Sequence, residues 1–133
     1  MENPKRGGMK AENYFKSRLN ALGIESEFVD KWFDFLVNKE IKVEVKSCQL
    51  QVRDGAIKDS HYRLGRFDFT KEESREKQYD ENVWVVFILR EGDEFLILGV
   101  VRAQQLNKAR YIPLNKIRQL NPMSFQDWIH QIN

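Results

Sequence analysis

Three ionisable side chains stand where chemistry is possible: Asp34, Glu44 and Lys46. Asp34 interrupts Trp32-Phe33-Asp34-Phe35-Leu36-Val37, a run in which every other residue is apolar or aromatic. An unpartnered charge buried there costs on the order of several kcal/mol, so such a carboxylate either points to water at an edge or serves a partner, a metal or a cleft. Beyond Asn38-Lys39-Glu40, the stretch Ile41 to Cys48 begins in strict alternation, with Ile41, Val43 and Val45 on one face and Lys42, Glu44 and Lys46 on the other. Matching the apolar faces of the two stretches across a three-residue loop pairs Val37 with Ile41 and sets Asp34 opposite Glu44. Their Cβ atoms would then be about 4.5–5.5 Å apart. Like charges at that spacing repel, and a divalent cation between them removes the repulsion. Hard oxygen donors suit Mg²⁺ or Mn²⁺. Lys46 projects from the same face, where an ammonium can hold or help deprotonate an attacking water and offset charge building on a phosphate. Taken alone, Lys42-Glu44-Lys46 is also what a solvated amphipathic strand looks like. Asp34 is what gives it weight.

The elements that must position these residues follow from hydrophobic period. Ala11, Tyr14, Phe15, Leu19 and Leu22 recur at spacings of three and four, with Gly23 where a helix wants a left-handed terminator, so a helix is predicted over Met9 to Leu22. Strands are expected at Ile24 to Phe28, Trp32 to Val37 and Ile41 to Cys48. Arg53-Asp54-Gly55 is turn chemistry, and the stretch to Asp68, with Lys58, His61, Tyr62, Arg63, Arg66 and Phe67, reads as a long irregular loop. Thr70 with Glu73 forms the pattern of a capping box, opening a second helix that ends near Asp80. Its charges, Lys71, Arg75 and Lys77 among Glu72, Glu73, Glu76 and Asp80, read as an ion-paired surface. Val83 to Leu89 and Phe95 to Val101 form a second hairpin around Glu91-Gly92-Asp93. A short helix at Ala103 to Asn107 and a terminal helix opened by Ser124 with Asp127, carrying Phe125, Trp128, Ile129 and Ile132, complete the order α-β-β-β-α-β-β-α.

Composition bounds the function. The 133 residues hold 22 Lys plus Arg, 20 Asp plus Glu, 41% hydrophobic residues and one cysteine, the profile of one domain over residues 1–133. A chain of this size buries roughly two-thirds of its unfolded surface without disulfides or a structural metal. The lone Cys48 and the polar segment Met1 to Lys10 point to a reducing, cytoplasmic (intracellular) compartment and away from secretion. The longest apolar runs are too short to span a bilayer. Charge is uneven: +3 over residues 1–22, +4 over residues 95–133 and −5 between them. Basic ends around an acidic centre suit a protein that grips a polyanion near a carboxylate-bearing site, although solvated charges give the same totals. His61, His130 and one cysteine offer no zinc spacing. Gly7-Gly8 lacks the Lys-Ser or Lys-Thr of a phosphate loop, and Cys48 reads as a structural thiol.

Asp34, then Glu44-Val45-Lys46, preceded by a helix that carries Glu12 and follows the basic start Arg6-Gly7-Gly8, resembles the PD-(D/E)XK nuclease superfamily. The nearest likeness is to archaeal Holliday junction resolvases and their small relatives, over about residues 6 to 101. Phe33 stands where the superfamily's name has proline. The resemblance implies an α/β restriction-endonuclease-like domain, a central mixed β-sheet flanked by helices. It implies Mg²⁺ or Mn²⁺ on Asp34, Glu44 and the Val45 carbonyl, Lys46 beside the water and Glu12 completing the site. Glu12 has a plainer role open to it, an ion pair with Lys16 one turn later. The reaction implied is hydrolysis of DNA, branched DNA first, by a homodimer where both strands of a junction are cut. Arg53, Lys58, Arg63 and Arg66, interleaved with aromatics, are the expected phosphate contacts, joined by Arg6 and Lys10. Two other readings stay open: a repair, restriction or mobile-element nuclease on duplex or flapped DNA, and a catalytically silent nucleic-acid-binding module of the same fold.

Overall fold

The computed structural model describes residues 4–53 and 62–133. Its chain order is α1 (Pro4–Ala21), β1 (Ser26–Phe28), β2 (Phe35–Val37), β3 (Ile41–Gln49), β4 (Gln51–Arg53), β5 (Tyr62–Leu64), β6 (Arg66–Asp68), α2 (Glu72–Glu81), β7 (Trp84–Glu91), β8 (Glu94–Arg102), β9 (Tyr111–Pro113) and α3 (Phe125–Ile132). Two 3-10 turns, Ala103–Leu106 and Leu114–Leu120, flank β9.

A mixed five-stranded sheet in the order β1-β2-β3-β7-β8 is the centre of the fold. β3 and β7 run parallel, Glu44 beside Val85 and Gln49 beside Arg90, and every other pairing in this sheet is antiparallel. Parallel neighbours need a long crossover, and the segment between β3 and β7 supplies it, with α2 as its last element. Both faces of the sheet are covered, which explains why Trp84 to Ile88 is continuously apolar. On one face Phe15 and Leu19 of α1 pack with Val43, Val86 and Trp128 of α3; on the other Phe67, Phe69, Val85 and Phe87 pack with Ile112 and Ile117.

The helix before β1 begins earlier than its apolar period, taking in Arg6-Gly7-Gly8, and ends as expected at Gly23, with φ of 73°. Ser124 caps α3 by accepting the Asp127 N–H at 3.0 Å. Three expectations need correcting, and one element was not anticipated. The second strand is only Phe35–Val37, because at Asp34 a side chain takes over from the backbone, as described below. The stretch from Arg53 to Asp68 is not an irregular loop throughout: β5 pairs with β4, and β6 pairs with β9 through Phe67 and Ile112. Gly65 joins them, and a Cβ there would overlap the carbonyl oxygen of Gln49, so only glycine fits. Thr70 does not cap α2; Lys71 holds the N-cap position without a side-chain bond. Lastly, β9 and the turn after it had no foreshadowing, since three residues are too few to show a period. Among the described residues, no helix is long and apolar enough to cross a membrane.

Candidate active site

A cleft of about 250 Å³ opens where α1, the β2–β3 hairpin and the start of α2 meet. Glu12, Asp34, Glu44, Val45 and Lys46 line it, along with Asp30 and, from the α2 side, Lys71, Ser74, Arg75 and Gln78. The hairpin has the register that face-matching requires, with Phe35 beside Val43, Leu36 beside Lys42 and Val37 beside Ile41. Asn38 and Lys39 make the turn at φ of 52° and 68°. One step past this ladder, Asp34 N–H still donates to the Val43 carbonyl at 3.1 Å. Asp34 Oδ2 then accepts the Val45 N–H at 2.8 Å. A carboxylate thus replaces the backbone acceptor that a continuing strand would have offered to β3, satisfying the donor and ending β2 together.

Glu44 is not on a solvated face. It is 7% exposed, covered by α2. Its Oε2 accepts a hydrogen bond from Gln78 Nε2 at 2.6 Å and lies 3.8 Å from Lys46 Nζ. Gln78 Nε2 also donates to the Trp32 carbonyl at 2.7 Å. One amide, itself 4% exposed, therefore ties the Glu44 carboxylate to the segment that carries Asp34. Lys46 Nζ sits 4.7 Å from the centre of the Phe69 ring, between an anion and an aromatic face that both favour its charge.

Electrostatics make the acids costly. Burial holds the Glu44 carboxyl well above the usual range; a hydrogen bond with Asp34 and the Asp34 charge add to this, while Lys46 and Gln78 oppose it. Glu12 is pushed up from 4.5 to about 7, first by burial and then by the charges of Asp34 and Asp30, with Lys46 opposing. Its suggested partner Lys16 instead donates to the Ser26 carbonyl at 2.7 Å. Among the described residues no three acidic, His or Cys side chains gather closely enough to hold an ion alone. The donors available to a cation are therefore two facing carboxylates and a main-chain carbonyl, that of Val45, with Glu12 lining the same cleft. Facing oxygen donors whose burial and mutual charge favour the neutral form of Glu44 fit a hard divalent ion, which would favour the charged form.

The other anticipated contacts separate. Arg63 and Arg66 line a second cleft; Arg66 Nε lies 3.1 Å from Asp68 Oδ1. Lys10 Nζ is 4.0 Å from Asp93 Oδ1, at the β7–β8 turn. Arg6 and Arg53 fall within α1 and β4, and Lys58 lies outside the described residues. Reading α2 as an ion-paired surface misses its contribution: beside a real Glu73–Lys77 pair at 3.2 Å, it sends Lys71, Ser74, Arg75 and Gln78 to the cleft. Arg75 Nη1 donates to the Phe69 carbonyl at 2.7 Å, and its buried Nε has no hydrogen-bond partner among the described residues. Cys48 is buried, its thiol pushed up to about 12 chiefly by that burial, which makes it inert.

A mixed sheet flanked by helices, with Asp34 and the Glu44-Val45-Lys46 strand meeting at one cleft, is a restriction-endonuclease-like fold. A family model described as a PD-(D/E)XK nuclease superfamily domain matches residues 1–126, and the chain belongs to that superfamily. The match runs through β8 and into α3, further than the span suggested by the motif alone. Its members are nucleases that generally use divalent metals. No curated protein and no solved structure gives a significant match to the chain.

Proposed function

We propose that this protein is a Mg²⁺- or Mn²⁺-dependent DNA endonuclease whose working residues are Asp34, Glu44, Val45 and Lys46. The observation that carries the reading is the Asp34–Glu44 pair: two carboxylates set against each other, one almost wholly buried, with a lysine 3.8 Å away. Such an arrangement is unfavourable for folding alone, because like charges brought out of water repel strongly. It is what a site for a cation requires.

Asp34, Glu44 and the Val45 carbonyl would hold the ion, which when bound would supply a more acidic water and neutralise charge at the phosphate. Lys46 directs its ammonium to the same place, orienting the attacking water and offsetting charge on the phosphoryl oxygens. Gln78 fixes the Glu44 carboxylate relative to Asp34, so both ligands arrive preorganised. Arg75 and Lys71 bring positive charge to the cleft wall, which favours an anionic substrate. Glu12 lines the cleft as a further acid that a cation would stabilise in its charged form.

Branched DNA is the substrate named by the sequence resemblance, with a homodimer presenting two such sites to the two strands. The test is strand cutting of a labelled four-way junction and its matched linear duplex, in Mg²⁺ and in chelator, by wild type and Asp34→Asn. The reading expects cutting that needs the metal and is lost in Asp34→Asn. Selectivity for the junction supports the resolvase assignment, and equal cutting of the duplex rejects it in favour of a repair or restriction role. Cutting retained by Asp34→Asn would overturn the mechanism.

A further inference from the structure

Glu12 and Asp30 line two spaces: the candidate active-site cleft and a groove of about 530 Å³ where α1 meets the ends of β1 and β2. Met9, Glu12 and Asn13, spaced three and four along α1, share one face of that helix, and Phe28 and Phe35 supply rings from the sheet. Two large apolar side chains stay in water there, Phe28 at 46% exposed and Met9 at 56%. The described residues that line the groove include no Lys or Arg.

Phe28 ends β1, the outer strand of the sheet, and pairs with Phe35. The two rings lie 5.5 Å apart between centroids, and Phe35, itself 1% exposed, is backed by Phe15 at 5.3 Å. The next residue, Val29, donates its N–H to the Asp34 carbonyl at 2.8 Å. A ring open to solvent on one side and braced on the other is therefore tied to the main chain of the proposed site. Such a surface receives a flat group by stacking. Phosphate is ill suited to it, since Glu12 and Asp30 stand where the groove joins the cleft and no cation among the described lining residues offsets them. A nucleobase is uncharged and planar, and the Asn13 amide carries both the donor and the acceptor that base edges match. A base inside a duplex has both faces covered by its neighbours, so only an unpaired or extruded one can stack here.

We infer that this groove seats an unpaired nucleobase of the strand being cut, stacked on Phe28, so that the preferred substrate carries an unstacked nucleotide beside the scissile phosphate. The inference rests on the nuclease reading and adds the state of the substrate: a branch point, a flap or a single-stranded arm supplies such a base, and uninterrupted duplex does not. Met9 gives the base a polarisable flank and Asn13 a hydrogen bond at its edge.

The test uses the full chain in chelator, where binding is read without cutting, by fluorescence anisotropy of a labelled forked DNA and its fully paired duplex. An abasic nucleotide is walked through the unpaired arm, and wild type, Phe28→Ala, Phe28→Tyr and Met9→Ala are compared, with thermal melts to verify folding. Phe28→Ala should weaken binding to the fork about tenfold, as for loss of one base–aromatic stack, and leave the duplex unchanged. One abasic position should weaken wild type by the same factor, and the two changes together should weaken binding no further than either alone. Phe28→Tyr, which keeps the ring, should stay within about twofold of wild type. If Phe28→Ala does not fold, Met9→Ala, at an exposed helix position that accepts alanine, carries the same pattern at about threefold. Factors that multiply, or an affinity that neither the substitutions nor any abasic position alters, beside wild type that binds and cuts in Mg²⁺, would overturn the inference while sparing the nuclease reading. A lower molecular mass of Phe28→Ala in sedimentation would overturn it in favour of a contact between two copies of the chain. Wild type that binds with this coupling but does not cut in Mg²⁺ would overturn the nuclease reading and retain the base subsite. Wild type that neither binds nor cuts would overturn both.

Discussion

The two clefts share Val45 and Lys46 yet are built on opposite principles. In the first, whose lining sets four acids against four bases, Asp34 and Glu44 face each other and Glu12 is desolvated nearby, a cost that a cation would offset. In the second, Arg63, Arg66 and Arg90 line the stretch of β3 that β2 leaves unpaired. Lys46 stands at the boundary, paired with Glu44 on one side and lining the basic cleft on the other. The contrast teaches that neighbouring stretches of one strand, β3, face two chemically different clefts, whose roles should be separable by substitution.

The sharpest separation is expected from Asp34→Asn. Cutting in Mg²⁺ should fall by a factor of roughly a thousand or more, as for loss of a principal transition-state stabiliser, while anisotropy in chelator reports DNA binding equal to or tighter than wild type, because a repelling charge is gone. Weakened binding in step with lost cutting would mean that the two clefts do not divide the work. Gln78→Leu comes next. Removing both hydrogen bonds that hold Glu44 and the Trp32 carbonyl should lower metal affinity by about 10–100-fold, the usual consequence of losing a carboxylate's supporting contact. Raising Mg²⁺ in the assay should then restore most of the rate; a defect that excess metal leaves untouched would make Gln78 a folding residue only.

Glu12 gives a smaller effect with a defined sign. In metal-free protein its carboxyl keeps its proton to about pH 7, against 4.5 as the ordinary value. The stability associated with that proton is fully present below about pH 4.5 and is lost as pH rises through 7. Glu12→Gln does not titrate, so its stability relative to wild type should grow across that window, by about 1–2 kcal/mol once screening of this half-buried group is allowed for. Denaturant melts at pH 5 and pH 8 read this directly, and parallel curves for the two proteins would contradict it. The least effect belongs to Lys42, two residues before Glu44 on β3, whose Nζ pairs with Glu81 at 2.6 Å near the surface. Lys42→Ala should cost under about 1 kcal/mol and leave cutting unchanged, marking where along β3 the functional stretch begins.

How legible these regions were in the sequence follows the same line. The acidic pair could be read because a hairpin leaves little choice: once Val37 and Ile41 must share a face, Asp34 has to meet Glu44. The apolar period likewise located α1 and α3, each buried through its own stripe, as Phe15 and Trp128 illustrate. α2 has no stripe. Its single buried residue is Gln78, and a glutamine among charges gives no sign that it will be enclosed by a neighbour's carboxylate. The basic cleft was legible only in part for a related reason. Arg63 and Arg66 stood out as cations among aromatics, but Phe67 finds its partner in Ile112, far along the chain, and Arg90 reads as the polar end of an apolar strand. Local pattern reports periods and turns; it does not report which distant backbone closes over a side chain.

The central claim is that Asp34 and Glu44 together form a cation site. Calorimetric titration of Mg²⁺ and Mn²⁺ into wild type and Glu44→Gln tests it most directly, without any choice of DNA substrate. The account predicts saturable binding by wild type and loss of that binding in folded Glu44→Gln. Equal binding by both proteins, or none by wild type, would contradict it.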